Sequence, residues 1–312
     1  MKPQTHPTRV AVTGATGFVG QRLIRTLQVN GWQVTALVRD PSRASRILNP
    51  HNSPDISLIK WDLNDENSLT ELVNTSALVH LAAYIPKSMN SAREASQCWE
   101  SNALGTIRLL ELAEKAKISH VVHVSTGNAY QFSKDKVIET DSLYPSHRTP
   151  YYLMSKVCGE VFATNWGLTT NRIVTILRPS SIYGIGMDPD SLVSRLVRLA
   201  QSNDVLTIED GGRFQADFIH VDDFVSLIFR VLQHQVPGIL NAGSGEPATT
   251  LQLLECIAKM AGRNMDDIQI HGDQNRPIFG FSPLNISRAR EMDGWSPRQL
   301  KEGLETMMEC GK

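Results

Sequence analysis

Tyr152 and Lys156 stand four residues apart in Tyr152-Leu153-Met154-Ser155-Lys156, a spacing that puts a phenol and an ammonium on one face of a helix. A cation so placed lowers the phenol's pKa and readies it to exchange a proton with a hydroxyl or a carbonyl. Tyr151 has no such partner, because Ser155 stands four residues on. Earlier in the chain, Thr13-Gly14-Ala15-Thr16-Gly17-Phe18-Val19-Gly20 follows the apolar Val10-Ala11-Val12 and leads into Gln21-Arg22-Leu23-Ile24-Arg25-Thr26-Leu27. That order reads as a strand, a glycine turn and a helix start. Glycines permit the tight turn and let backbone amides approach a pyrophosphate at the positive end of the helix. Together the two segments imply a bound nicotinamide dinucleotide beside a proton-exchanging phenol.

Such groups need a scaffold, and the hydrophobic pattern supplies one. Apolar runs recur at Val10–Thr13, Val34–Val38, Ile56–Ile59, Ala77–Leu81, Val121–Ser125 and Ile173–Leu177, with helical stretches between them. This alternation predicts an α/β fold, a parallel sheet wrapped by helices. Gly31 is placed to close the first helix, and Ala103–Ala116 and Tyr151–Ala163 read as long helices flanking the fifth strand. After Arg178-Pro179 the pattern loosens, with Gly184-Ile185-Gly186, Gly211-Gly212 and Asn241-Ala242-Gly243-Ser244-Gly245 marking turns. Phe218–Leu232 reads as a strand and helix returning to the first part. The expected division is a dinucleotide-binding domain over 8–178 plus about 217–242, and a smaller substrate-binding lobe over about 179–216 plus 243–312.

The chain has 312 residues, enough for one large α/β unit with an added lobe. Its 31 Lys and Arg against 32 Asp and Glu give no general attraction to nucleic acid or to an anionic membrane. Cys98, Cys158, Cys256 and Cys310 are scattered without a CxxC pair, as free thiols in a reducing compartment would be, so a cytoplasmic location is expected. The first nine residues lack the apolar core of a signal peptide, and no run approaches a membrane span. His80, His123 and His220 lie in or beside apolar strands and fit hydrogen-bonded core positions; no metal spacing and no GxSxG nucleophile elbow occurs.

Beyond the TGxxGxxG turn and the YxxxK pair, the chain carries Asp62-Leu63, His80-Leu81-Ala82-Ala83, Asn102-x-x-Gly105-Thr106 and Ser125-Thr126-x-x-x-Tyr130. It continues with Arg178-Pro179-x-x-x-Tyr183-Gly184, Asp217-Phe218-Ile219-His220-Val221-Asp222-Asp223, Asn241-x-Gly243-Ser244-Gly245 and Gly294-Trp295-x-Pro297. In this order the motifs resemble the extended short-chain dehydrogenase/reductase family, in its branch of NAD(P)-dependent epimerases, dehydratases and ketoreductases of sugar nucleotides. The resemblance spans nearly the whole chain. It implies a Rossmann-type doubly wound sheet with a smaller C-terminal lobe, and a homodimer through the helices around 103–116 and 151–163.

The resemblance also assigns roles. Tyr152 becomes the general acid or base, Lys156 adjusts its pKa and holds the nicotinamide ribose, and Thr126 hydrogen-bonds the reacting oxygen, with Ser125 able to share that part. Gly14, Thr16, Gly17, Phe18, Val19 and Gly20 cradle the dinucleotide, Asp62 meets the adenine amine beside Leu63, and Leu81, Ala82, Ala83, Asn102 and Pro179 complete the contact. NAD-preferring members place Asp where this chain has Val38, and that Asp holds the ribose hydroxyls. Here Arg39 and Arg43 follow, and guanidinium forks suit a 2′-phosphate, so NADP is favoured; Asp40 keeps NAD possible.

Gly127 follows Thr126 where the 4,6-dehydratases carry an acid for water elimination and fucose-synthase-like enzymes carry Cys. Dehydration and C3/C5 epimerisation are therefore disfavoured, which leaves reduction of a keto sugar, oxidation of an alcohol, or 4-epimerisation. For the substrate, the family's Arg before Asp217 is Ala216 and its common Asn is Ser181. Arg213 and Arg276 are candidates for the diphosphate, and Tyr84 and Lys87 for the reacting end. Two other readings stay open. One is a dihydroflavonol-reductase or hydroxysteroid-dehydrogenase-like enzyme for a small carbonyl compound, which needs no diphosphate clamp. The other is a non-catalytic NADP-binding sensor, against which intact Thr126, Tyr152 and Lys156 argue.

Overall fold

The computed structural model describes residues 9–48, 53–64, 72, 74–86, 91–144, 149–202, 204–264 and 268–309. Its first half alternates β1 (Arg9–Thr13), α1 (Phe18–Val29), β2 (Gln33–Val38), α2 (Pro41–Leu48), β3 (Ile56–Lys60) and β4 (Ala77–His80). There follow α3 (Ala92–Cys98), a π-helical stretch Trp99–Leu104, α4 (Gly105–Lys115), β5 (His120–Val124), α5 (Pro150–Thr170) and β6 (Ile173–Pro179). The rest comprises β7 (Ser181–Tyr183), α6 (Leu192–Gln201), β8 (Leu206–Ile208), β9 (Phe214–His220), α7 (Val221–His234), β10 (Gly238–Ala242), β11 (Pro247–Thr249), α8 (Thr250–Met260), β12 (Ile268–Ile270), β13 (Phe279–Gly280), α9 (Ser287–Arg290) and α10 (Leu300–Glu309).

The main sheet has the order β10-β6-β5-β4-β1-β2-β3. Pairings among β1 to β6 are parallel, the arrangement that continuous apolar runs demand, since helices must cover both faces. Strand order reverses between β1 and β4, which makes their carboxyl ends the switch point where such folds hold ligands. There Thr13 lies opposite His80, and His80 opposite His123. The helix α1 buries Leu23, Ile24 and Leu27 and closes at Gly31, whose φ of 75° is a left-handed stop. Long helix α5 ends likewise, on Asn171 in the left-handed region.

The chain divides into two compact units. One takes in the described residues of Met1–Ala129, Pro145–Arg178 and Val225–Leu240, with a core that includes Ala11, Leu37, Leu78, Leu109, Val121 and Trp166. The other takes in the described residues of Tyr130–Tyr144, Pro179–Phe224 and Asn241–Lys312. Its core gathers Tyr183, Leu196, Phe218, Leu253, Ile257 and Leu304. In this second unit the buried carboxylate of Asp217 accepts from Ser244 N–H and Oγ–H at 2.8 Å each, from Gly245 N–H at 3.0 Å and from Leu284 N–H at 3.1 Å. Asp223 holds Arg298 through two bonds of 2.9 and 3.0 Å, while Trp295 Nε1 donates to the Asp223 carbonyl at 3.1 Å. The Asp-Phe-Ile-His and Gly-Trp-x-Pro motifs thus build the lobe itself.

One buried histidine makes a testable statement about the sheet. Thr175 gives its only hydroxyl hydrogen to the Val236 carbonyl, so at 2.8 Å from Thr175 Oγ1 the His120 ring must donate from Nε2. Burial lowers the His120 pKa to about 4. The unfolded residue takes up a proton near pH 6.5 and the folded one only near 4, so stability present above 6.5 is lost as pH falls toward 4. His120→Gln keeps a donor toward Thr175 and removes the titration. Between pH 6.5 and 4 the native protein should lose about 3 kcal/mol more than this variant, read from denaturant midpoints; parallel pH profiles would refute it.

Candidate active site

In the first unit, the glycine turn fits a dinucleotide for steric reasons. A Cβ on Gly20 would lie 2.2 Å from the Gly14 carbonyl oxygen and 2.7 Å from that of Ala15. One on Gly14, whose φ is +67°, would lie 2.7 Å from Ala82 N. Gly17 caps α1 with no side chain over the helix end, so the first amides of α1, on Phe18 and Val19, have no intrahelical acceptor and face outward as anion donors. Acidic residues are absent from this first turn. Thr16 is tied by its carbonyl, which accepts Gln21 Nε2–H at 2.9 Å.

Arg39 is exposed just past β2, where a guanidinium is open to solvent. The carboxylate of Asp40 caps α2 by accepting Arg43 N–H at 3.0 Å, so a structural duty accounts for Asp40. Asp62 accepts Asn64 N–H at 3.0 Å. Leu63 packs where a Cβ on Gly105 would come within 2.9 Å, and its carbonyl accepts Arg108 Nη1–H at 2.9 Å. Leu81, Ala82 and Ala83 run out from β4 beside Gly14.

Asn102 is buried within the π-helical stretch. Its Oδ1 accepts Tyr84 N–H at 2.7 Å, and its Nδ2 donates to the Tyr84 carbonyl and to Ser155 Oγ, both at 2.9 Å. Its side chain therefore organises protein rather than reaching outward. Tyr84 Oη donates to Glu94 at 2.7 Å, and that bond raises its pKa. Lys87 lies outside the described residues.

Thr126 is buried just beyond β5, its Oγ1 accepting Asn128 N–H at 3.2 Å as the chain turns through Gly127–Ala129. Ser125 donates its backbone N–H to the Leu177 carbonyl at 2.7 Å, and its hydroxyl has no partner among the described residues. On α5, Tyr152 and Lys156 are one turn apart. Burial, and next the Cys98 thiol, push the Tyr152 phenol up to about 12, while burial pulls the Lys156 ammonium down to about 8 against the opposing pull of Glu160. Desolvation thus works against the acidification that a neighbouring cation supplies, and phenol and amine both lean toward their neutral forms. Sequence reasoning missed the group behind them. Glu160, one further turn along α5, holds Arg178 of β6 in a two-pronged ion pair, Nε to Oε2 at 3.1 Å and Nη2 to Oε1, with both side chains buried. The i+4 step from Lys156 to Glu160 was its only signal.

In the second unit, Pro179 closes β6 and Ser181 opens β7. Ala216 is 1 % exposed within the apolar core of that unit, so no basic group stands at this point of β9. Arg213 Nε donates to the Arg276 carbonyl at 2.9 Å; Arg276 pairs with Asp210 at 3.6 Å and lies 3.9 Å over the Phe279 ring. The structure brings these two arginines to one exposed corner.

Residues 10–243 match the NAD dependent epimerase/dehydratase family. The chain belongs to this family. A dTDP-glucose 4,6-dehydratase of Streptomyces niveus is 27% identical over 93% of this chain and 88% of its own length. A UDP-glucose 4-epimerase of Mycolicibacterium smegmatis is 29% identical, covering 96% of this chain and 97% of that relative. Among solved structures, MoeE5 in complex with UDP-glucose and NAD superposes with a TM-score of 0.79 at 28% identity, over 96% of this chain and 97% of that one. The chain is thus a nicotinamide-dependent enzyme with an extended short-chain dehydrogenase fold. No described helix is long and apolar enough to cross a membrane.

Proposed function

We propose that this enzyme reduces a keto group on a nucleotide-linked sugar, or inverts its C4 hydroxyl by oxidation and re-reduction, with NADP preferred. The observation that carries the reading is the turn after Thr126: Gly127 is buried and offers no side chain, beside a helix bearing Tyr152 and Lys156. Water elimination needs an acid at that point; carbonyl reduction and 4-epimerisation do not. When bound, the dinucleotide supplies or accepts the hydride. Tyr152 Oη gives its proton to the carbonyl oxygen, Thr126 Oγ1 hydrogen-bonds that same oxygen, and the Lys156 ammonium steadies the negative charge left on the phenolate. With its pKa pushed up to about 12 the phenol carries its proton at neutral pH, the form from which reduction starts, and the Lys156 charge offsets the weaker acidity that burial imposes.

The preference for NADP rests on exposed Arg39 and on an Asp40 engaged in capping α2. Replacing Arg39 by Ala should weaken NADPH at least about tenfold and NADH less than about threefold, since only the former loses a charge-assisted fork to phosphate; equal weakening in calorimetric titrations removes the preference. For the substrate, the Arg213 and Arg276 corner is the candidate anion site. If millimolar UDP or dTDP fails to raise the melting temperature, the nucleotide-sugar reading falls. The packed Ala216 favours a second reading in that event, a reductase of a small carbonyl compound without diphosphate. Single turnovers of NADPH against keto sugar nucleotides and small apolar ketones separate the two.

The reading includes a homodimer. Met154, Val161 and Leu168 are exposed on α5, with Cys158 and Asn165 filling the intervening positions of a seven-residue repeat, and Trp99 and Tyr151 are exposed nearby. A solution mass equal to one chain of 34.6 kDa would remove it. Free thiols at Cys98, Cys158 and Cys256 support the cytoplasmic placement, which cell fractionation checks.

A further inference from the structure

His80 ends β4 at the point where strand order reverses, 1 % exposed and opposite Thr13 in register. Its Nδ1 lies 2.7 Å from Thr13 Oγ1 and its Nε2 lies 3.2 Å from Thr106 Oγ1. Counting hydrogens fixes the direction of each bond. Thr106 has one hydroxyl hydrogen and gives it to the Asn102 carbonyl at 2.7 Å, so toward His80 it can only accept. The proton of the imidazole is therefore on Nε2. Nδ1 is left with a lone pair, which takes the hydroxyl hydrogen of Thr13, and the Thr13 oxygen in turn accepts Ala82 N–H at 3.2 Å. Beyond Thr106 the chain of bonds continues through Asn102 Nδ2 to Ser155 Oγ, and Ser155 Oγ donates to the Tyr152 carbonyl at 2.8 Å.

We propose that His80, as its Nε2–H tautomer, is a positioning residue that locks the glycine turn and the Leu81–Ala83 segment to Asn102 and to the helix carrying Tyr152 and Lys156. It rests on the dinucleotide site proposed above. The two ends of the imidazole serve different partners: Nδ1 holds Thr13, which directly precedes Gly14, and Nε2 holds the Thr106 and Asn102 arm. Only histidine presents an acceptor and a donor at this separation. The other titratable groups facing the ring are His123, whose ring centroid lies 5.2 Å away, and Lys156. Burial, and then the charge of Lys156, lower the His80 pKa well below its ordinary value, so the single-proton form persists. Space for this arrangement depends on Gly159, where a Cβ would lie 2.9 Å from the Asn102 carbonyl oxygen, 3.1 Å from Thr106 Oγ1 and 3.2 Å from His123 Cε1.

Two substitutions cut the arms separately. His80→Asn keeps a polar group at the Nδ1 position and loses the reach to Thr106; His80→Gln reaches Thr106 and abandons Thr13. Titrating the full chain with NADH and NADPH, the Gln variant should bind both about tenfold more weakly, because a buried hydroxyl loses its acceptor beside the cradle. The Asn variant should stay within about threefold of the native protein while its single-turnover rate falls about tenfold. Nitrogen-15 spectra of the native protein should show His80 protonated on Nε2 alone from pH 6 to 8. Equal weakening of dinucleotide binding by the two variants, or a proton on Nδ1, overturns the proposal. Should either variant fail to fold, the native spectrum decides. If no substrate turns over, the binding and spectral readings still stand or fall independently of the reaction assigned above.

Discussion

Tyr152→Phe should lower the single-turnover rate by about 10²–10⁴-fold, the range associated with removing a positioned general acid, while dinucleotide affinity changes by less than about threefold. The substitution deletes one oxygen from a ring held in a largely buried setting on α5, so packing is retained. Its pH dependence carries further content. Burial pushes the phenol up to about 12 and the ammonium of Lys156 down to about 8. As pH rises through 8, Lys156 loses the charge that stabilises the phenolate produced by proton donation, so the reductive rate in the native protein should fall above that pH. The phenol itself stays protonated over the same range and sets no limb near neutrality. A Phe variant that retained more than a tenth of the native rate would mean that some other group delivers the proton.

The fold was readable because its signals are local. Buried parallel strands must be apolar on both faces, and the runs at Val10–Thr13 and Val34–Val38 coincide with β1 and β2 to within one residue. The helix expected at Ala103–Ala116 instead extends from α3 at Ala92, through a π-helical stretch over Trp99–Leu104, to the end of α4 at Lys115. Ala92–Cys98 has no large apolar residue, only Ala92, Ala95 and Cys98 among polar neighbours, so its apolar period is faint, and a π-helical stretch shifts the phase of any period crossing it. Site chemistry was legible where spacing alone fixes proximity, as for Tyr152 and Lys156. It was not legible where partners lie far apart in sequence: Glu94 on Tyr84, Thr13 on His80, Arg276 beside Arg213, and Glu160 on Arg178 depend on the tertiary fold. Asp40 shows how one residue can carry two signals, since an acid beside a nucleotide turn invites a ligand role and Asp-Pro at a helix start is also a capping signal.

The buried pair of Glu160 and Arg178 yields the second large effect. Their side chains are 7% and 5% exposed, so removing either partner takes from the other its buried counter-charge in a medium that solvates charge poorly. Glu160→Ala should destabilise the protein by about 3–5 kcal/mol, and Arg178→Ala by a similar amount. Replacing both by Leu and Met should recover most of that loss, because the cost arises from an uncompensated charge more than from the missing attraction. Denaturant midpoints of the two singles and the double test this; a double as unstable as the sum of the singles would mean the pair is not a unit. Catalysis should respond differently from stability. Glu160 raises the pKa of Lys156 against the effect of burial, so Glu160→Gln, which retains shape and removes charge, shifts the Lys156 titration below about 8. The alkaline fall in reductive rate should then move to lower pH. In the restored double variant the same shift should persist although stability has returned, which separates the role of Glu160 in holding the fold from its role in keeping Lys156 charged.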